Sequence, residues 1–389
     1  KRKPITTNIF DNDNNIMDEH INYFKEKTRG YISFLRGRNP FDFPLSIPSS
    51  ITAPNDTLNL KKYPKIPEQF KHIKYKMKFL DIIKCPMSNI QKIIYTKAIN
   101  DGSDLWAKES QISNFVYCSL KEGNNNYKNT YQKNGFKKVL ISKRTTKRFI
   151  NEDDGKRYKL PELRKYSSKI GKIIENIRKS KGPVFIYTAY IEGGLIPLII
   201  ALEMEGYMPY KNHSHQFISN KHKNNYKGDY IIKSSDSLSV KKTDVDAFIK
   251  KKKLMINEKN VKIFISTRAG TEAFSLFGFR EVHILEPHFH LNILEQAIGR
   301  VIRTGSHEHL PIGERNVSVF MYASTINDEE TVDLYKYRLS EWKAFTSGKI
   351  EKILKENAID CKLNKFGNYY GKDIFPKPII IETSRGDNI

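Results

Sequence analysis

The sequence predicts an α/β protein built on a parallel sheet with flanking helices, and three observations carry that expectation. Short runs such as PVFIYT (Pro183–Thr188), VKIFIS (Val261–Ser266) and NVSVFMYA (Asn316–Ala323) are apolar without alternation, the pattern of strands covered on both faces. Segments with apolar residues at helical spacing lie between such runs, so strands and helices alternate along the chain. With 39% hydrophobic side chains, 389 residues suffice for a real core and for two ordinary domains or one with large appendages.

Taken in order, residues 1–20 read as a polar lead-in. A short helix follows in HINYFKEKTRG, stopped by Gly30, then a strand around Tyr31 to Leu35, a turn at Asn39-Pro40 and a proline-punctuated link. His72–Leu80 has strand character. Cys85–Tyr95 starts a helix, with Ser88 as N-cap and Gln91 three residues later at capping-box spacing. Residues 97–160 read as an insertion or linker with local order, and their KRTTKR run at 143–148 as a solvated charge run.

From Pro161 the text becomes regular. Ile170, Ile173, Ile174 and Ile177 mark a helix that ends by Gly182, and PVFIYT is the first strand of the regular part. GGLIPLIIALEMEGY is an apolar helix, GDYIIKS the second strand and TDVDAFIKKKKLM a basic amphipathic helix. VKIFIS, EVHILE (Glu281–Glu286) and NVSVFMYA complete five strands; a polar loop with a short strand of its own precedes GDYIIKS. After Ser324 the chain turns polar and helical, with Leu334, Trp342, Phe345, Ile350 and Leu354 at loose helical intervals, and it ends in a disorder-prone SRGDN. The expected organisation is 1–160 linker and insertion, 161–324 the α/β domain and 325–389 a helical extension.

Sixty-seven Lys and Arg against 43 Asp and Glu leave a net charge of +24, a field that points first to nucleic acid. Cys85, Cys118 and Cys361 show no metal-ligand spacing and read as idle thiols of a reducing, intracellular compartment. No run of eighteen apolar residues occurs, so no membrane partner is expected. His288, His290, His307 and His309 lack an accompanying cysteine and read as loop histidines, so no metal is assigned.

The sharpest chemistry lies in LNILEQAIGRVIR (Leu291–Arg303). At roughly 100° per residue, Leu291, Leu294, Ile298, Val301 and Ile302 share one arc of a helix while Gln296, Arg300 and Arg303 share another. Two guanidiniums about a turn apart make a donor array suited to phosphate oxygens. STRAG (Ser266–Gly270), at the end of a strand, and the Gly193-Gly194 pair after Thr188 occupy the edge where open α/β sheets bind ligands.

QAIGRVIR, with Gln296, Gly299, Arg300 and Arg303 in that register, resembles motif VI of superfamily 2 helicases and translocases, in the branch carried by large DNA viruses. Similar to that branch are also GYISFLRGRNP, which follows the end of a first motor domain, and MSNIQKIIY, at the entrance to a second. The resemblance implies a RecA-like domain at 161–324, the second of two motor domains. It makes Arg300 and Arg303 catalytic arginine fingers, and Gln296, Gly299, Gly270 and Glu272 nucleotide-side residues. Thr188, Gly193, Gly194, Ser266 and Thr267 would touch nucleic acid.

No GxxxxGK[ST] loop occurs to cradle phosphates, and no DExx box is assigned. The resemblance therefore implies that ATP with magnesium is held mainly by an N-terminal motor domain upstream of residue 1, and that this chain alone is inactive. Expected partners are nucleic acid, DNA first, that upstream domain and viral RNA polymerase; the implied location is virion and host cytoplasm. The rival expectation is a non-catalytic nucleic-acid-binding subunit of a transcription initiation or termination complex.

Overall fold

The computed structural model describes residues 9–11, 16–33, 42–102, 106–139, 155–212, 217–218, 225–234, 242–250, 260–268, 274–361 and 380–389. Its frame is one sheet of eight parallel strands: β1 (Leu45–Pro48), β2 (Ile82–Pro86), β3 (Val184–Tyr187), β4 (Tyr207–Pro209), β5 (Gly228–Lys233), β6 (Val261–Ser266), β7 (Glu281–Ile284) and β8 (Asn316–Thr325). The order is β1-β8-β7-β3-β6-β5-β4, with β2 also on β8. β1 pairs with Asn316–Val319 and β2 with Met321–Thr325, so the two follow one another along the same edge of the ten-residue β8.

The central strands are buried and largely apolar because both faces are covered. Val184 and Ile186 of β3, with Ile263 and Ile265 of β6, enter one core layer; Phe185, Tyr187 and Phe264 enter the other. The first layer is closed by α5 (Ser168–Lys179), whose four isoleucines are all buried, and by α6 (Ile196–Met204). Val245 and Phe248 of α7 (Lys242–Lys250) and Leu294 and Ala297 of α8 (Leu291–Ile298) close the second. This is the RecA-like α/β arrangement.

The remaining long helices are α1 (Asp18–Thr28), α2 (Asn89–Asn100), α3 (Ala107–Asn114), α4 (Gln132–Val139) and α9 (Val332–Glu356). Ser88 caps α2 as expected, accepting from Gln91 N at 3.1 Å. The capping box is incomplete: the Gln91 side chain instead donates to Ile112 O and accepts from Ser168 N. The ten residues Val332–Glu341 of α9 are buried. They pack with α2 and α3 into a third apolar cluster that holds Phe70, Ile94, Ile112, Val116, Tyr335 and Leu339.

Several expectations change. Cys85 belongs to β2, ahead of the helix that Ser88 caps, and His72–Leu80 is not a strand: Lys71 and His72 form a turn and residues 73–80 pair with no strand of the sheet. Residues 31–33 are not a strand; the rest of that expected strand lies outside the described residues, as does KRTTKR. Residues 97–160 do not read as an appendage, because Phe115, Tyr117, Phe136 and Tyr158 sit in the first core layer. SRGDN forms an ordered turn: Ser384 is buried against Ser318 and the Arg385 guanidinium lies 4.7 Å from the Phe320 ring centre. Its backbone closes through Thr383 N to Asp387 O, with Gly386 at φ +84.

Candidate functional site

The arginine segment is a short helix followed by a turn, not one helix to Arg303. α8 ends at Ile298, and Gly299 N donates to Glu295 O at 2.8 Å as its C-cap. Glycine is a poor helix former, and the chain tightens there into three-residue turns: Arg300 N donates to Ala297 O and Val301 N to Ile298 O. Leu294, Ala297, Val301 and Ile302 still face the core, so the apolar arc holds across the break.

The two arginines consequently part. Arg300 is half-buried, its guanidinium carbon 5.7 Å from the centre of the Phe274 ring, and its backbone oxygen accepts from Leu276 N at 2.8 Å. Lys233, the last residue of β5, lies over the same ring at 4.7 Å, so one aromatic face holds two cations. Arg303 is exposed, as is Gln296. The turn under Arg303 is fixed by its neighbours: Ser306 N donates to Arg303 O at 3.0 Å. Ser306 Oγ lies 2.8 Å from His307 Nδ1, and His307 Nε2 lies 2.8 Å from Phe279 O. Burial pushes His307 down to about 4, so the ring is neutral near pH 7. Phe279 O can only accept, which places the proton on Nε2 and leaves Nδ1 to accept from Ser306. Arg303 thus presents a donor fork on a rigid base.

The strand-end residues meet a different fate. Thr188 is buried at the end of β3, its hydroxyl 3.1 Å from Glu286 Oε1 and 3.2 Å from Oε2. Glu286 also accepts from Ala189 N and from Asn114 Nδ2, and burial lifts its carboxyl above the usual range. Gly193 and Gly194 are close-packed: a Cβ on Gly193 would stand 2.7 Å from Gln111 Cγ, and one on Gly194 would overlap Thr188 Oγ1. These three residues are turned inward rather than toward a bound strand. Ser266 and Thr267 are buried too, with hydroxyls on Thr267 O and Ser234 Oγ. What the end of β6 presents outward is Arg268, which stood unremarked inside STRAG. Gly270 and Glu272 lie outside the described residues.

The structure therefore leaves Gln296, Arg303 and Arg268 as exposed polar groups, anchors Arg300 and places Gly299 at the helix end. It adds Glu286, Asn114 and Phe274, which gave no sequence signal because each works through a partner distant in sequence, and His307, read above only as a loop histidine, is buried and braces the turn. Asp-Glu pairs occur twice among the described residues. Asp18–Glu19 opens α1, and Asp328–Glu329 sits in the turn before α9. Among the described residues no group of three His, Cys, Asp or Glu side chains is placed to hold a metal ion, and no helix is long and apolar enough to cross a membrane.

No protein-family model matches the chain. It is 27% identical over 369 residues to a protein of Acanthamoeba polyphaga mimivirus named as an ATP-dependent RNA helicase, R563, covering 90% of this chain and 53% of that one. It is 26% identical over 234 residues to the termination factor NPH-I homolog of African swine fever virus, covering 51% and 33%. Against a protein of Invertebrate iridescent virus 3 named as helicase 087L it is 30% identical over 222 residues, covering 53% and 21%. Its homologues are viral helicases. The chain spans about half or less of the length of these helicase relatives. Among solved structures, the C-terminal part of the Fun30 ATPase domain covers 49% of this chain and 54% of its own, with 16% identity and a TM-score of 0.33.

Proposed function

We propose that this chain is the second motor domain of a nucleic-acid-dependent ATPase of the superfamily 2 type, serving viral transcription or replication. The observation that carries the reading is the arginine turn: Arg303 exposed on a base fixed by Ser306 and His307, with Arg300 anchored on Phe274. An always-charged planar fork on a rigid support suits a phosphate whose negative charge grows in the transition state.

In this reading Arg303 reaches the terminal phosphate of ATP across a cleft shared with an upstream motor domain, and Arg300 holds the turn and adds its charge. Gln296 and Gly299 line the same side, with Gly270 and Glu272, which follow β6 in sequence, as further nucleotide-side residues. Magnesium belongs to the upstream half. Backbone phosphates of DNA meet the end of β6 through Arg268 and the amides after Thr267, while Thr188, Gly193 and Gly194 shape that edge from within. The relatives' names and the net charge of +24 support a nucleic-acid partner. Viral RNA polymerase as partner, and virion and host cytoplasm as location, follow from the same reading.

The test is ATP hydrolysis by the complete polypeptide with and without DNA. Arg300→Ala is expected to lower stimulated turnover by about a thousandfold, as removal of an arginine finger does, with DNA affinity little changed. Wild-type turnover in that variant, or wild-type hydrolysis indifferent to nucleic acid, would refute the reading in favour of a binding subunit.

A further inference from the structure

A second nucleic-acid surface stands on α9, apart from the arginine turn. Residues 73–80, IKYKMKFL, cross this helix without pairing in the sheet, and side chains of α9 bind part of their backbone. Arg338 donates to Phe70 O, Ile73 O and Tyr75 O at 3.0, 2.6 and 3.2 Å. Glu341 accepts from Lys78 N, Phe79 N and Leu80 N at 2.6, 3.0 and 2.8 Å, and from Tyr75 Oη at 2.8 Å. The clamp fixes which side chains point where. Ile73 and Met77 are buried, whereas Lys74, Lys76 and Lys78 all face solvent.

Aromatic rings adjoin these lysines. Phe79 is 66% exposed and Phe345 39%, their centroids 6.2 Å apart with planes inclined by 26°. Tyr75 lies 5.9 Å from Phe345, and Lys349 sits over the Phe345 ring at 5.0 Å. Among the described residues none of Lys74, Lys76 and Lys78 stands in an ion pair with a carboxylate. Exposed rings beside a row of cations on a rigid support have one well-matched occupant: a chain of negative charges that carries flat, unstacked faces. That is a single-stranded nucleic acid, whose bases stack on aromatic side chains while its backbone pairs with lysines. A duplex keeps its base faces covered, and an acidic peptide leaves the rings without a partner.

We propose that Phe79 and Phe345, with Lys74, Lys76 and Lys78, form a stacking platform for single-stranded DNA or RNA on α9. The proposal shares with the motor reading only the need for a nucleic-acid partner and makes no use of Arg300 or Arg303.

The test is fluorescence anisotropy of the 389-residue chain with labelled twenty-nucleotide oligo(dT) and oligo(U), the two distinguishing a DNA from an RNA strand. Phe79→Ala and Phe345→Ala should each weaken single-strand binding by about fivefold or more, while Phe79→Trp, which keeps a ring, should bind as wild type. Lys74→Gln, Lys76→Gln and Lys78→Gln together should flatten the slope of log affinity against log salt by about 2. Both rings are exposed, so folding is expected to survive, and circular dichroism checks it. A chain that binds neither oligomer overturns the proposal, as do ring variants that bind like wild type or ring removal that weakens duplex binding equally. Capture of poly-glutamate with the same ring dependence would assign the surface to an acidic protein and overturn it as well. Failure of the motor reading shows elsewhere, as undiminished ATP hydrolysis in the Arg300 variant, and leaves this binding untouched.

Discussion

Arg338 on α9 and Arg303 after α8 are the same side chain in opposite surroundings. All five N–H groups of Arg338 are used: Nε and Nη2 grip the two oxygens of Glu330 at 2.6 and 2.8 Å, and the other three reach carbonyls of residues 70–75. Both Arg338 and Glu330 are fully out of solvent, and Tyr63 Oη adds a donor to the same carboxylate at 2.6 Å. Among the described residues Arg303 has none of this, and it is exposed. A buried guanidinium with every donor taken is committed to architecture, whereas an exposed one on a fixed turn is available to a ligand.

The sharpest way to break the contrast is to remove each arginine and measure stability. Arg338→Ala strands Glu330 and three carbonyls, and should cost about 3–5 kcal/mol in urea unfolding. Arg338→Lys should recover little, because a point charge cannot serve five acceptor directions. A loss under about 1 kcal/mol for Arg338→Ala would mean that the clamp is ornamental.

A buried carboxylate held by neutral donors sharpens it further. Among the described residues Glu203 accepts from Tyr230 Oη at 2.7 Å and from the amides of Phe217 and Ile218 at 2.9 and 2.8 Å. Burial lifts its carboxyl to about 8, from 4.5 for an exposed one. Between those values the folded chain holds a proton that the unfolded chain has released, so this contribution is complete below pH 4.5 and lost as pH rises through about 8. Urea midpoints at pH 5 and pH 8 should show wild type losing more stability than Glu203→Gln; equal losses would contradict the account.

Gly194→Ala offers a smaller effect, about 1–3 kcal/mol of destabilisation, because its methyl would overlap Thr188 Oγ1 beside Glu286. Tolerance of the methyl in thermal unfolding would show that this edge is open enough to admit a ligand. Smallest of all is Arg303→Ala, which should shift stability by no more than about 0.5 kcal/mol, as exposed substitutions do.

The sequence displayed the middle of this molecule and hid its edges. β3 is an unbroken apolar run, and β6 and β8 hold the apolar stretches IFI and VFMYA, as doubly covered strands need. β1 has two exposed residues out of four and ends in proline, so neither run length nor alternation betrays it. β2 is five residues, IIKCP, with Lys84 inside it, and lies just ahead of the Ser88-capped helix, so it reads as the lead-in to that helix. The strand character of His72–Leu80 belongs to a segment whose backbone partners are Arg338 and Glu341 rather than a strand, a contact spanning more than 260 residues. At the arginines, helical periodicity placed the apolar arc correctly yet could not see the chain tighten at Gly299. The glycine pair at 193–194 illustrates the general difficulty: room for a phosphate and room for a neighbouring side chain are spelled alike.

The central claim is that Arg303 serves chemistry and not the fold. Its most direct test pairs two readings on one preparation of the complete polypeptide carrying Arg303→Ala: the urea midpoint and the rate of DNA-stimulated ATP hydrolysis. The account predicts an unchanged midpoint with turnover reduced by about a thousandfold. Hydrolysis at the wild-type rate, or loss of activity only in step with loss of stability, would contradict it.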